Sequence, residues 1–287
     1  MNDAARASVV GGPVAGGSIT GGSEAGQGAP VSSHRRLVLI PSYNTGRQLL
    51  RTVEEALAFW QPVWVVIDGS TDGSARLLDG LLDPKAPSYR PGLKVMELPV
   101  NRGKGGAILE ALTTALHEGF SHVLTMDADG QHPADRIVQF MTASQRQPDA
   151  MVLGRPVFDA AAPALRVKGR RISNWWANLE TFDAGIGDSL FGFRVYPIAP
   201  LVQVMMGRRW MRRFDFDPEA VVRLCWNGVK PINLDAPVRY LSAEEGGVSH
   251  FNYYRDNLLL TGMHLRLVAG FLLRALLRLL RKAQQGA

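Results

Sequence analysis

The chain is poor in the features that anchor several large classes of protein. It has one cysteine, Cys225, among 287 residues, so no internal disulfide can form and no cysteine-based zinc site can be built around it. That usage fits a reducing compartment. No basic n-region followed by an apolar h-region opens the chain. Residues 1–33 run instead through GGPVAGGSITGGSEAGQGAP and read as a disordered Gly/Ala/Ser-rich leader rather than a secretory signal. No internal repeat is visible. Also lacking is an uncharged apolar run of the ~20 residues that span a bilayer; the longest candidate, after Arg266, is interrupted by Arg274 and Arg278. An ordinary transmembrane protein is therefore not expected.

What is present is a globular balance, 46% hydrophobic against 20% charged residues, enough to bury the core of one large domain or two small ones. The 32 Lys and Arg exceed the 26 Asp and Glu, giving a net charge of +6. That excess favours phosphates or an anionic membrane surface as partners. From residue 35 onward, short β-branched runs (37–41, 63–68, 93–99, 122–129 and 149–154) alternate with stretches of helical length (47–60, 71–82, 105–118 and 133–145). This βαβα rhythm predicts an α/β fold with a mostly parallel sheet. Thr71 and Asp72 suit helix capping, and Pro133 suits a first helical turn. Beyond 155 the rhythm gives way to a basic segment at 166–171, the pair Trp175 and Trp176, a stretch at 188–196, a helix near 218–226, two short strands near 230 and 238, and a long C-terminal helix.

Tyr43, Asp68, Asn101 and Asp127 each fall at the carboxyl end of a predicted strand, the edge at which open α/β sheets bind ligands. In DADGQHP (127–133) two carboxylates one residue apart, with the amide oxygen of Gln131, can face a single hard cation. Mg²⁺ or Mn²⁺ would complete its shell with water and phosphate oxygens. The same start resembles a calcium loop, but the later ligands of an EF-hand are missing, and a plain solvated turn is the remaining alternative. Asp68 opens DGSTDGS, where a carboxylate can accept a nucleobase N–H or simply serve the turn. NRGKGGA (101–107) is a glycine-rich entry to a helix whose N–H groups and Lys104 can face a phosphate. It lacks both the Walker spacing and the third glycine of a dinucleotide fingerprint.

Taken in order, IPSYN (40–44), VVIDGSTDGS (65–74), NRGKGGA, MDADGQHP (126–133), LGRP (153–156) and DSLFGFR (188–194) resemble the family 2 glycosyltransferases of the GT-A fold, and within them the dolichol- or polyprenyl-phosphate, lipid-directed branch. The resemblance spans 36 to about 240. It implies that Pro41, Tyr43 and the adjoining Asn44 line the nucleoside pocket, that Asp68 binds the base, and that Asn101, Lys104 and Arg155 face the diphosphate. Asp127, Asp129 and Gln131 would hold the metal. Asp188, Gly192, Phe193 and Arg194 would border the acceptor, and GRRISNWW (169–176) would bring Arg170, Arg171 and Ser173 to an acceptor phosphate. Two positions depart from the pattern: Ile67 replaces the first of two acidic residues, and Phe191 replaces a small hydroxyl residue. The GxxRW-type ending of processive synthases is absent.

The implied reaction is inverting transfer of one sugar from a nucleotide-sugar donor to a lipid-linked or glycolipid acceptor, with no nucleic acid as partner. A hydroxyl acceptor needs a base, and Asp188 is the candidate; a polyprenyl phosphate is already ionised and needs none. A nucleotidyltransferase of similar sheet architecture would carry a basic glycine-rich loop where PSYNTG stands, and a catalytically idle binding module would not need Asp127, Asp129 and Gln131 together. In LRLVAGFLLRALLRLLRK (265–282), Arg266, Arg274, Arg278 and Arg281 share one arc of a helix. This predicts an interfacial amphipathic helix with arginines among anionic headgroups, the alternative being a helix docked on the protein's own core with its arginines in water; Trp175 and Trp176 are either a second anchor or part of the core. The expected organisation is a leader (1–33), a catalytic domain (34–241) and a membrane-associating helical segment (242–287), with the protein peripheral on the cytoplasmic, inner face of the membrane.

Overall fold

The structure is a computed structural model that describes residues 29–158, 164–239 and 253–285. Its elements in chain order are β1 (Val31–Ser32), β2 (Arg36–Ser42), α1 (Arg47–Phe59), β3 (Trp60–Gln61), β4 (Val63–Asp68), α2 (Asp79–Leu82), β5 (Leu93–Leu98), α3 (Lys104–His117), β6 (His122–Thr125), α4 (Ile137–Arg146), β7 (Met151–Val157), α5 (Ala164–Glu180), β8 (Arg194–Pro197), α6 (Ile198–Met206), α7 (Phe216–Trp226), β9 (Pro231–Pro237) and α8 (Tyr253–Gln285). Most of the expected leader lies outside the described residues, but Val31 and Ser32 pair in parallel with Trp60 and Gln61.

Seven strands form one sheet in the order β5-β4-β2-β6-β8-β7-β9. Pairing is parallel except where β8 runs antiparallel to both β6 and β7. The buried runs alternate between the two faces as the pleat requires. Leu37, Leu39, Trp64, Val66, Val123, Met151 and Leu153 point to one core with α3, α6 and α7. Val38, Ile40, Val63, Val65, Ile67, Leu124 and Val152 point to the other, with α1 and α4. Because β2, β4, β5 and β6 run the same way, the loops that follow them gather at one edge.

Several elements differ from the sequence reading. The helix expected over 71–82 is a 3₁₀ turn at Ser74–Leu78 followed by the short α2. Gly73, not Thr71 or Asp72, is its N-cap residue, and Asp72 one position earlier accepts the Ser74 N–H at 3.0 Å. The two strands expected near 230 and 238 are the single β9, and the basic segment and tryptophan pair lie together on α5.

The C-terminal helix departs most. Met263 and Leu267 are fully buried in the same core as α7. Arg266 reaches Glu219 at 3.1 Å and lies 4.4 Å from the Trp210 ring, and Arg274 stacks 4.6 Å from the Trp226 ring. Arg266 and Arg274 therefore face the protein body, not a headgroup layer, while Leu265, Leu272, Leu273, Leu276, Leu279 and Leu280 face outward. By length and composition Leu258–Leu277, with a mean hydropathy of 1.4, is long and apolar enough to cross a membrane, which the interruptions at Arg274 and Arg278 had argued against. The side chains of Arg278 and Arg281 lie outside the described residues.

Candidate active site

The gathered loops are tied together by short-range chemistry. Asn44, in the left-handed region at φ 48°, accepts the Thr71 N–H at 2.8 Å and donates its own N–H to Ser70 at 3.0 Å. Asp72 accepts the Gly46 N–H at 2.8 Å. The PSYNTG and DGSTDGS turns are thus one unit, with Tyr43 exposed at its rim. Asp68 is buried at the end of β4 and accepts the Arg102 N–H at 2.7 Å, so it fixes the NRGKGGA turn. Gly69 packs on the same turn, and a Cβ there would come within 2.5 Å of the Asn101 nitrogen.

The glycines of NRGKGGA have a packing role that the phosphate reading did not anticipate. The loop at 211–213 crosses the first turn of α3 so closely that a Cβ at Gly105 would lie 2.0 Å from the Met211 carbonyl oxygen. A Cβ at Gly103, whose φ is +81°, would lie 2.3 Å from that of Arg212. The Gly106 N–H donates to Arg212 O at 3.1 Å. Lys104 is thereby turned into the sheet edge, where Nζ lies 2.7 Å from both Asp127 Oδ1 and Asp217 Oδ2.

This cluster sets the local electrostatics. Burial alone would lower the Lys104 pKa, but Asp127 and Asp217 outweigh it and hold the ammonium charged. Burial pushes Asp127 up, and Lys104 overrides that to bring it down to about 2. Asp129 forms no ion pair among the described residues, and burial together with the Asp127 charge, outweighing the pull of Lys104, pushes it up to about 6. Its Oδ1 accepts the Gln131 N–H at 3.0 Å, closing the DADGQ turn. His132 is buried and lowered to about 4 by that burial, hence neutral at pH 7. Its Nδ1 accepts the Asp127 N–H at 2.9 Å, which leaves the proton on Nε2, 3.6 Å from Asp127 Oδ2. Gly192 lies directly against the cluster: a Cβ there would sit 2.7 Å from Lys104 Nζ and 2.9 Å from Asp127 Oδ2.

Among the described residues no three His, Cys, Asp or Glu side chains form a metal cage. Two carboxylates on one turn, flanked by an amide side chain, instead suit Mg²⁺ or Mn²⁺, which take few protein ligands and fill the remainder with water and phosphate oxygens. The close like charges of Asp127 and Asp129 are what such a cation would neutralise.

The acceptor-side residues are organised around Asp188. Its Oδ1 accepts the N–H groups of Leu190 and Phe191 at 2.9 and 2.7 Å and pairs with Arg170 at 2.8 Å; Oδ2 accepts Asn174 at 3.4 Å. Arg171 is exposed on α5. Three expected roles need correction. Ser173 is buried and bonded to Ser189 at 2.9 Å, because its face of α5 packs on the 188–191 turn. Arg194 is fully buried, donating to Tyr196, the Asp217 carbonyl and the Asp188 carbonyl, so it braces the site from within the sheet instead of meeting an acceptor. Arg155 stands exposed on β7 and pairs with Asp235 of β9 at 2.5 Å, so its partner here is a carboxylate. Pro41, half-buried, follows the buried run Leu37–Ile40 of β2, and Ser42 beyond it is buried again.

Two residues were missed. His132 had a place in the motif but no role, and Asp217 was invisible because an acid before Pro218 reads as ordinary helix-start charge.

Residues 37–204 match the profile described as Glycosyl transferase family 2. The polyprenol monophosphomannose synthase of Mycolicibacterium smegmatis is 26% identical over 75% of this chain and 80% of its own. The undecaprenyl-phosphate mannosyltransferase of Micrococcus luteus is 23% identical over 74% and 86%. Among solved structures, glucosyl-3-phosphoglycerate synthase from Mycobacterium tuberculosis, in complex with Mn²⁺, UDP and glucosyl-3-phosphoglycerate, is similar with a TM-score of 0.52 at 16% identity, covering 84% of this chain and 79% of its own. The sheet order, the clustered strand ends and a profile match across more than half of the residues lead to one assignment: the chain belongs to glycosyl transferase family 2 and is a glycosyltransferase of the GT-A fold.

Proposed function

We propose that the protein catalyses inverting, metal-dependent transfer of one sugar from a nucleotide sugar to the phosphate of a polyprenyl phosphate at a membrane surface. The observation that carries the choice of acceptor is Asp188. Its carboxylate is committed to two backbone N–H groups, Arg170 and Asn174, which makes it a scaffold for the acceptor wall and a poor general base. A phosphate nucleophile needs no base, and the polyprenyl- and undecaprenyl-phosphate names of the relatives agree with it.

In this reading the diphosphate of the donor sits between the β2–β4 turn unit and the Asp127–Asp129 turn. A bound Mg²⁺ or Mn²⁺ held by Asp127, Asp129 and Gln131 would supply charge stabilisation for the leaving group. Lys104 adds a fixed positive charge beside it. An acceptor phosphate oxygen, drawn by Arg170 and Arg171, attacks the anomeric carbon from the face opposite the diphosphate. The bond from that carbon to the diphosphate oxygen breaks, and its electron pair leaves with the nucleoside diphosphate.

The outward leucines of α8 and the exposed stripe Ile172, Trp175 and Leu179 on α5 meet where Phe182 packs 4.5 Å from Phe271. Together they would offer an apolar surface for the bilayer, and α5 carries Arg170 as well. The helix lies on the membrane in this reading. Its first half is held to the body by Met263 and Leu267, and the stretch 272–285 is about 20 Å long at ~1.5 Å per residue, short of a ~30 Å core.

The test is transfer by the full chain with Mn²⁺, a panel of UDP- and GDP-sugars, and either a polyprenyl phosphate in anionic vesicles or soluble 3-phosphoglycerate. Product on the polyprenyl phosphate supports the proposal, and product on phosphoglycerate alone overturns the lipid acceptor. Resistance of the membrane-bound protein to carbonate extraction would overturn the peripheral placement.

A further inference from the structure

We propose that Asp217 is a positioning residue of the catalytic centre, acting through Lys104 on Asp127; the inference rests on the reading of Asp127 and Asp129 as metal ligands. Asp217 lies on the first turn of α7, far in sequence from every motif of the site. One ammonium joins the two elements, with Lys104 Nζ 2.7 Å from Asp217 Oδ2 and 2.7 Å from Asp127 Oδ1.

The surroundings leave that ammonium little choice of place. Arg194 donates to the Asp217 carbonyl at 2.6 Å. Asp215, just before α7, accepts the Met211 and Arg213 N–H groups at 2.9 and 3.0 Å. The same 211–213 loop is seated on Gly103 and Gly105, beside Lys104, and Gly192 closes the other side within a Cβ radius of Nζ. Asp217 therefore sets where the ammonium stands.

Two consequences follow for Asp127. Its Oδ1 accepts from Lys104 at 2.7 Å, so Oδ2 would be the freer oxygen for a cation. The lysine charge is also divided between two carboxylates, so Asp127 keeps attraction for a cation that it would lose if it faced Lys104 by itself. Asp217 has no contact with the donor in this scheme; it tunes the metal turn at one remove.

The experiment is Mn²⁺ binding to the full chain without donor, followed by electron paramagnetic resonance of the free ion, with Asp129→Ala defining the signal of the site. Asp217→Asn is expected to weaken Mn²⁺ binding about tenfold, and Lys104→Met to tighten it by a similar factor. In the Lys104→Met background, Asp217→Asn should change the dissociation constant less than about threefold, because the intermediary is gone. Weakening of equal size in both backgrounds, or Asp217→Asn binding within about twofold of wild type, overturns the proposal. Should Asp217→Asn fail to fold by circular dichroism, Lys104→Met and Lys104→Arg carry the test. Met should tighten binding and Arg, which keeps the charge, should not; an unchanged constant for Met overturns the proposal. A wild-type chain without Asp129-dependent Mn²⁺ binding would remove the metal reading and this inference with it. A wild type that binds while Asp217→Asn is silent removes only the role of Asp217.

Discussion

Gly192→Ala is the smallest change that probes whether the Lys104–Asp127 contact is the working centre. Its φ lies outside the left-handed region, so alanine meets no backbone strain and the effect is steric alone. The new methyl would stand 2.7 Å from Lys104 Nζ and 2.9 and 3.2 Å from the two Asp127 oxygens. The first distance falls short of ordinary contact near 3.4 Å by about 0.7 Å. The backbone cannot yield easily: Thr125 holds the Gly192 carbonyl at 2.8 Å, Phe191 packs 4.7 Å from His132, and Phe193 packs 4.8 Å from Phe140. Lys104 and Asp127 must move instead. A displacement of that order at a reacting centre costs ~10²-fold in rate, and overpacking costs about 1–3 kcal/mol of stability. Metal-dependent release of nucleoside diphosphate measures the first, and thermal unfolding the second. Gly207→Ala, which meets open space, is the matched control and should behave as wild type. A folded Gly192→Ala enzyme with kcat/KM within about threefold of wild type would refute the assignment, since a ~10²-fold loss is the expectation.

Four further outcomes are expected. Asp129→Ala should abolish transfer and metal-dependent nucleotide binding while unfolding at the wild-type temperature, because its carboxylate accepts from its own turn, the Gln131 N–H and its own backbone; full activity in excess chelator would contradict it. Asp68→Asn can still accept the Arg102 N–H and keep its turn, so weaker nucleotide binding by about 1–3 kcal/mol in calorimetry would report contact with the base, and an unchanged constant would leave Asp68 a turn residue. Asp188→Asn should lose about 1–3 kcal/mol of stability with its Arg170 pair yet keep turnover on a polyprenyl phosphate within roughly tenfold, and a loss of several orders would make it a base after all. Removing 276–287 should weaken binding to anionic vesicles and leave the melting temperature in place, whereas removing 264–287 should destabilise the core by several kcal/mol, since it takes Leu267 and the Arg266 partner of Glu219.

The parallel half of the sheet was legible because its strands are β-branched runs separated by helix-length spacers. Their ends marked the site for a topological reason: parallel strands deliver their loops to one edge. What was hidden depended on pairing at long range. The antiparallel β8 enters between β6 and β7, and nothing in RVYP states its neighbours. The glycines of NRGKGGA were legible as unusual, but the close approach of the 211–213 backbone to Gly103 and Gly105 was not, since a phosphate and a crossing backbone both demand the absence of a side chain. Asp217 and Lys104 are over a hundred positions apart, and only the fold makes one explain the other. Arg194 and Ser173 received acceptor-side roles from the family resemblance, whereas the sheet interior and the α5 packing face hold them.

The C-terminal helix shows where periodicity stops being informative. At about 100° per residue, Arg266 and Arg274 fall within one arc, and the sequence reading was right that they share a face. Met263 and Leu267 fall in that arc too, about 60° and 100° from Arg266, so the same stripe contains the residues that dock. A hydrophobic pattern says which side chains travel together but not whether water, lipid or protein receives them. Here Glu219 and the ring of Trp226, both on α7, receive the two arginines. Under the proposed function, that arrangement would leave the leucine face for the bilayer and orient it relative to the sheet edge. Anchoring by arginine contacts to headgroups would leave the catalytic edge free to rotate. Anchoring by a helix clamped to α7 would give the membrane a fixed angle to the site, which is what the proposed acceptor phosphate at the bilayer surface requires.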